Sequence, residues 1–192
     1  MKAVPTSRYL LFAALAVFGC AADLLTKSWI FSSLGMPHER PSWWLIDEIL
    51  GFTTSLNEGA LFGIGQGQGL IFGSLSVVAA IGITYWLFVV KAAHDRLLTV
   101  ALGLVTAGIF GNLYDRLGWP GLKWRLDSVH ELGEPVYAVR DWLHFKIDRV
   151  VDWPIFNIAD SLLVCGAVVL IWHALRGEQV AAPSELPVGE TH

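Results

Sequence analysis

Residues 69–90 read GLIFGSLSVVAAIGITYWLFVV, an unbroken apolar run from Gly69 to Val90 without one charged side chain. A helix needs about 20 such residues to cross the hydrocarbon of a bilayer, and this run supplies them. The residues are continuous rather than alternating in polarity, so a helix is the spanning form it can take, with every backbone polar group paired internally. Three further stretches are long and apolar enough to be candidate spans. Leu97–Tyr114 carries no charge and is closed by Asp115-Arg116, Tyr9–Phe31 is interrupted by Asp23 and Lys27, and Ile155–Leu175 by Asp160.

Composition agrees. The 192-residue chain is 54% hydrophobic and 16% charged, against roughly 25% charged in an average soluble domain, and its mean hydropathy is +0.54. A soluble protein of this size could not bury so much apolar surface. The net charge of −4 leaves no general footprint for nucleic acid. Cys20 and Cys165 both lie in apolar runs, which argues against a disulfide framework or a cysteine metal site, and no metal or cofactor is expected.

The connections are unequal. Lys91–Arg96 is a short turn, whereas 32–68 and 115–154 are long, semi-polar and rich in tryptophan (Trp43, Trp44, Trp119, Trp124, Trp142, Trp153), as suits segments at a membrane interface. Both emerge on the side opposite the short turn. Residues 1–177 thus read as one four-span unit, and 178–192 as a disordered tail. Lys and Arg counts in the flanks do not decide the orientation, because most of the positive charge on the long-loop side lies in one long loop, where the rule weakens. Met1–Cys20 has the look of a cleavable signal peptide, but its apolar run continues to Phe31 and reads as a retained span.

The ionisable residues inside these spans ask for partners or a function, since each costs about 2.5–3.5 kcal/mol at mid-bilayer. Asp23 and Lys27 are four apart and read as a structural ion pair near the outer end of the first span. Gly108, Gly111, Asn112, Asp115 and Arg116 share one face of the third span, with packing against a neighbouring helix and an interfacial Asp-Arg anchor as the plainer reading. Asn157 and Asp160 lie just inside a helix start at Pro154, which places Asp160 one to two turns into the bilayer. An intramembrane carboxylic acid without a basic residue on its own span points to function. A second carboxyl would make a dyad that retains one proton, so that one oxygen deprotonates water while the other polarises a carbonyl. Asp141 and Asp152 are both suited by position, and the residues alone do not separate them.

Four motifs, in order, resemble those of lipoprotein signal peptidase (signal peptidase II), a family of bacterial membrane aspartic peptidases. They are Asp23-Leu24-Leu25-Thr26-Lys27, Asn57-Glu58-Gly59-Ala60-Leu61-Phe62-Gly63, Gly108 through Arg116, and Trp153 through Ser161. The resemblance implies four transmembrane helices with a small extracytoplasmic β-cradle formed from 32–68 and a lid-like loop or helix in 115–154. It implies Asp141, nineteen positions before Asp160, as the partner rather than Asp152. By the same analogy Asn57, Gly59, Ala60 and Phe62 line the site from the first long loop, and Gly108, Asn112, Arg116, Asn157 and Ala159 line it from the bundle. The implied substrate is a diacylglyceryl-modified prolipoprotein cut before its lipidated Cys, by a globomycin-sensitive monomer in the bacterial inner membrane. Both termini would then be cytoplasmic and the active site would lie at the outer face. Residues 117–140 are longer than the family usually has there.

A proton-coupled transporter using Asp23, Lys27 and Asp160 is the competing class. The chain lacks the repeats and broken helices that class favours. A structural scaffold would leave the Asn157–Asp160 face unexplained.

Overall fold

A computed structural model of the chain describes residues 3–59, 65, 67–125, 130–147 and 149–181, with the side chains of 177–181 excepted. Four long helices carry the apolar runs: α1 (Thr6–Leu34), α2 (Gly69–Thr84, continued by a π-helical turn Tyr85–Val89), α3 (Arg96–Arg116) and α4 (Ile158–Ala181). All four are long and apolar enough to cross a membrane, and the chain is a multi-pass membrane protein. Their roles differ. In α3, 67% of the most apolar window is buried, against 6%, 17% and 11% in α1, α2 and α4, so α3 is the central helix and the others wrap it. The outer helices turn Leu10, Phe18, Leu25, Leu70, Val78 and Ile171 outward, where lipid rather than protein is their solvent.

Small residues let α3 and α4 approach closely. A methyl group added at Gly108 would lie 2.5 Å from the Ala159 carbonyl oxygen and 2.6 Å from the Leu163 side chain. A backbone atom cannot swing aside, so Gly108→Ala is expected to destabilise the protein by about 1–3 kcal/mol, read as a lowered Tm of the purified protein in detergent. On the short-turn side, Asp95 caps α3 by accepting from Leu98 N at 3.0 Å, and its other oxygen lies 2.6 Å from Nε2 of His173 on α4. At the opposite end α1 stops at Gly35, whose φ of 80° ends the helix while its N–H still donates to Phe31 O.

A four-stranded antiparallel sheet sits on that end, in the order β1 (Trp43–Ile46), β2 (Leu50–Asn57), β3 (Val139–Ile147), β4 (Val151–Asp152). The expected cradle therefore draws on both long connections, not on 32–68 alone. Alternating side chains in 138–145 are the reason, since they let β3 present Trp142 to Phe52 (ring centroids 5.3 Å apart) and to Ile30, Phe31 and Leu34 of α1. Pairing of β2 with β3 slips between Phe52 and Ser55: Phe52 faces Leu143, and Ser55 faces Asp141. The extra residue on β2 is a bulge. Within 115–154, where a lid-like loop or helix was expected, the stretch between α3 and β3 is a loop closed by an antiparallel bridge between Lys123 and Pro135, with no further helix among its described residues.

Two boundaries depart from expectation. Helix α4 begins at Ile158 rather than at residue 155, because Phe156 is taken by β3: its carbonyl accepts from Trp142 N and Leu143 N, and its N–H donates to Leu143 O. Asp160 consequently lies in the first turn of α4. At the other end α4 runs on to Ala181, so the first residues of the tail expected to be disordered are helical, and 182–192 lie outside the described residues.

Candidate active site

The start of α4 is a reciprocal cap. Asp160 N donates to Asn157 Oδ1 at 2.9 Å, and Asn157 N donates back to Asp160 Oδ2 at 3.2 Å. Asn–x–x–Asp thus does here what a capping box does elsewhere, and it fixes the Asp160 carboxyl at the mouth of the helix. The side-chain amide of the same Asn157 donates to Asp141 Oδ1 at 2.6 Å and to Asn112 Oδ1 at 3.1 Å. Asn112 of α3 completes the ring by donating from Nδ2 to Asp160 Oδ1 at 2.9 Å. Two asparagines therefore join Asp141, delivered by β3, to Asp160, delivered by α4.

Both carboxyls open into one cavity of about 710 Å³ between α2, α3, α4 and the sheet. Its polar end holds Asn57, Asn112, Arg116, Asp141 and Asp160, while the remainder is walled by apolar side chains such as Phe72, Leu75, Ile109, Phe156, Leu163 and Val164. Arg116 donates from one guanidinium nitrogen to Gly59 O at 2.7 Å and stacks over the Phe72 ring. Asp141 is 2% exposed. Burial first, and the neighbouring Asp160 charge second, push its carboxyl up to about 8, against the lowering pull of Lys27 and of the Asn157 and Asn57 side chains.

Behind the cavity lies a buried quartet. Lys27 Nζ is 2.7 Å from Asp23 Oδ2, 3.0 Å from Asp115 Oδ2, and donates to Asn112 Oδ1 at 2.9 Å. Arg140 Nε and Nη2 each reach Asp115 Oδ1 at 2.9 Å, and Asp23 Oδ1 accepts from Ala159 N at 2.8 Å. Two cations meet two carboxylates in a site closed to solvent. Asp23 and Lys27 are thus half of a larger network, and Asp115, expected as an interfacial anchor, is fully buried in it. Lys27 also acts on the site. An ammonium can only donate, so Asn112 must turn its oxygen to Lys27 and its amide to Asp160.

Of the residues singled out in the sequence, Asn57, Gly108, Asn112, Arg116, Asp141 and Asp160 border the cavity. Gly59 reaches it through Arg116, and Asn157 lies fully buried between the two acids. Ala159 packs against α3, and its N–H serves Asp23. Ala60 and Phe62 lie outside the described residues. Asp152, the rival acid, is on β4 with a side chain 67% exposed and paired to His144 at 2.7 Å, away from the cavity wall. Arg140 escaped the sequence reading. Its signal was a cation directly beside Asp141 at the apolar start of the strand.

A sequence profile of the family described as signal peptidase (SPase) II matches residues 15–176. The chain belongs to the signal peptidase II family. A protein of Rhodopirellula baltica named lipoprotein signal peptidase is 47% identical over 172 residues, covering 88% of this chain and 73% of that one. One of the same name from Bacillus velezensis is 34% identical over 168 residues, covering 86% and 94%. Among solved structures, one described as a bacterial membrane enzyme superposes with a TM-score of 0.68 at 26% identity, over 98% of both chains. A second with the same description gives 0.64 at 27% identity, over 91% and 96%. The chain is a membrane-embedded peptidase of the lipoprotein-processing class.

Proposed function

We propose that the chain removes signal peptides from diacylglyceryl-modified prolipoproteins by cutting the bond before the lipidated Cys, with Asp141 and Asp160 as an aspartic dyad. The observation that carries this reading is the placement of both acids at the polar end of one apolar-walled cavity. An acyl-bearing substrate fits such a cavity chemically, because its lipid chains can lie along the apolar wall while the scissile peptide reaches the carboxyls. On this reading the site faces the outer side of the bacterial inner membrane, both termini are cytoplasmic, and the enzyme works as a monomer.

The chemistry follows from the one proton the dyad keeps. Asp141, whose carboxyl is held protonated to about 8, donates toward the carbonyl oxygen. Asp160, which accepts from the Asn157 backbone and the Asn112 amide, takes a proton from water, and the resulting hydroxide attacks the carbonyl carbon. Collapse of the tetrahedral intermediate returns a hydroxyl proton to Asp141 and breaks the C–N bond, and the proton gained by Asp160 passes to the leaving amine, which restores the dyad. Asn157 and Asn112 hold the two carboxyls in place during this exchange. Arg116 and Asn57 are placed to bind the peptide backbone, with Gly59 carried by Arg116.

Incubating the purified protein with a diacylglyceryl-prolipoprotein and weighing the products tests the assignment. The expected large product begins at the lipidated Cys. Cleavage at another bond, or equal cleavage of an unlipidated precursor, would overturn it. The pH profile supplies an independent check. A carboxyl whose pKa is raised in the folded protein keeps its proton through neutrality and loses it above, so kcat/KM is expected to fall as pH rises through about 8 and to fall again in acid as the second carboxylate is protonated. A profile that climbs steadily through the alkaline limb would count against the shared proton.

A further inference from the structure

The loop between α3 and β3 plays no part in the chemistry above, yet its described residues are firmly built. Trp124 N donates to Glu134 O at 2.7 Å and Gly133 N donates to Trp124 O at 2.8 Å. Leu122 and Trp124 pack on the cluster of Met36, Val136 and Ala138, which also holds Leu56 of β2, and Arg125 pairs with Glu39 beyond α1. On this base His130 stacks flat on the Trp124 indole, with ring centroids 4.0 Å apart and planes 5° from parallel. The imidazole lies between two carboxylates, Nε2 at 3.2 Å from Glu58 Oε1 and Nδ1 at 3.4 Å from Glu134 Oε2. The His130 side chain is only 16% exposed and that of Glu58 25%, so the contact is partly shielded from solvent.

Glu58 stands between two residues that touch the site. Asn57 borders the cavity and hydrogen-bonds Asp141 through its side chain. Gly59 offers its carbonyl to Arg116, while its N–H donates to Asn57 Oδ1 at 3.0 Å. Holding the Glu58 side chain therefore holds the short segment that orients one partner of Asp141 and the anchor of Arg116.

We propose that His130 and Glu58 form a latch through which the α3–β3 loop positions Asn57 and the Gly59 carbonyl for catalysis. Both are positioning residues, acting through Asn57 and Arg116. The proposal rests on the assignment of Asp141 and Asp160 as the dyad. A displacement of site groups by a fraction of an ångström is felt in turnover more than in substrate binding, which the apolar cavity dominates.

The test assays purified Glu58→Gln, His130→Gln and the double variant on a diacylglyceryl-prolipoprotein. Each single variant is expected to lower kcat about tenfold while KM stays within about twofold. The double variant should lose no more than about the same tenfold, because the second change finds no latch left to break. The charge-swapped pair, Glu58→His with His130→Glu, should recover part of the loss. Singles that turn over at the wild-type rate would overturn the latch, and so would a double variant falling by about the product of the singles. If a single variant fails to fold, the swapped protein decides: folded and recovered supports the latch, folded and slow refutes it. Asp141→Asn measured alongside keeps the two ideas apart. Cleavage surviving in Asp141→Asn sinks the dyad, whereas an inactive Asp141→Asn with unimpaired latch variants sinks the latch alone.

Discussion

Replacing Asp141 or Asp160 by asparagine is expected to reduce cleavage of a diacylglyceryl-prolipoprotein by on the order of 10⁴-fold, and replacing both to cost no more than either alone. The substitution keeps size and shape, so the cavity and the asparagine ring around it persist. What disappears is proton transfer: an amide can neither take a proton from water nor hand one to a carbonyl. Non-additivity is expected because the two acids act as one unit, and the first loss already stops the step they share. Asp152→Asn is the control that gives the experiment its edge. Its side chain is largely in solvent, paired to His144 on the far edge of the sheet, and turnover should stay within about threefold of the wild type. Abolished cleavage in Asp152→Asn with activity kept in Asp141→Asn would show that the wrong acid had been chosen.

The second large effect is on stability. Lys27→Met leaves Asp115 paired with Arg140 and Asp23 without a cation, with neither carboxylate open to solvent. Removing one member of a buried ion pair costs about 3–5 kcal/mol, a large share of the roughly 5–15 kcal/mol that holds a typical domain together. The variant should therefore unfold at a clearly lower temperature in detergent and accumulate poorly. Combining it with Asp23→Asn restores the charge balance, because Asp115 and Arg140 remain paired, and much of the lost Tm should return. Activity should return only in part. Without the ammonium, the Asn112 oxygen is fixed by the Asn157 amide alone, so the Asn112 donor is held less firmly on Asp160. A Lys27→Met protein that melts with the wild type would refute the account of the quartet, and a double variant cleaving at full rate would refute the role given to Asn112.

Local patterns and distant contacts contributed differently to what the residues revealed. The spans were legible because a bilayer demands long apolar runs, and Gly69–Val90 could satisfy that demand in no other way. The Asp23–Lys27 pairing followed from helical periodicity alone. The quartet did not, since Asp115 and Arg140 reach Lys27 from α3 and β3, and no spacing along the chain encodes that meeting. The sheet was legible only in part for the same reason. Strand β2 finds its partner in β3, more than eighty residues onward, so half of the cradle was invisible from 32–68. The start of α4 was misplaced because Pro154 is a sound helix-start signal, while the β3 backbone that captures Phe156 is a tertiary competitor.

Chemistry written along one stretch of chain, such as apolar length, cap residues and the order of the motifs, was enough to make this a four-helix membrane peptidase of a recognisable family. The residues alone left Asp141 and Asp152 open and the resemblance implied Asp141, but the physical reason for the difference lies in the folded molecule. Both acids sit in strand-like, aromatic-flanked segments of similar local character, and what separates them is a bulge in β2, the pinning of Phe156 to β3 and the asparagine ring. These three features turn one carboxyl into the apolar-walled cavity and leave the other largely exposed to solvent.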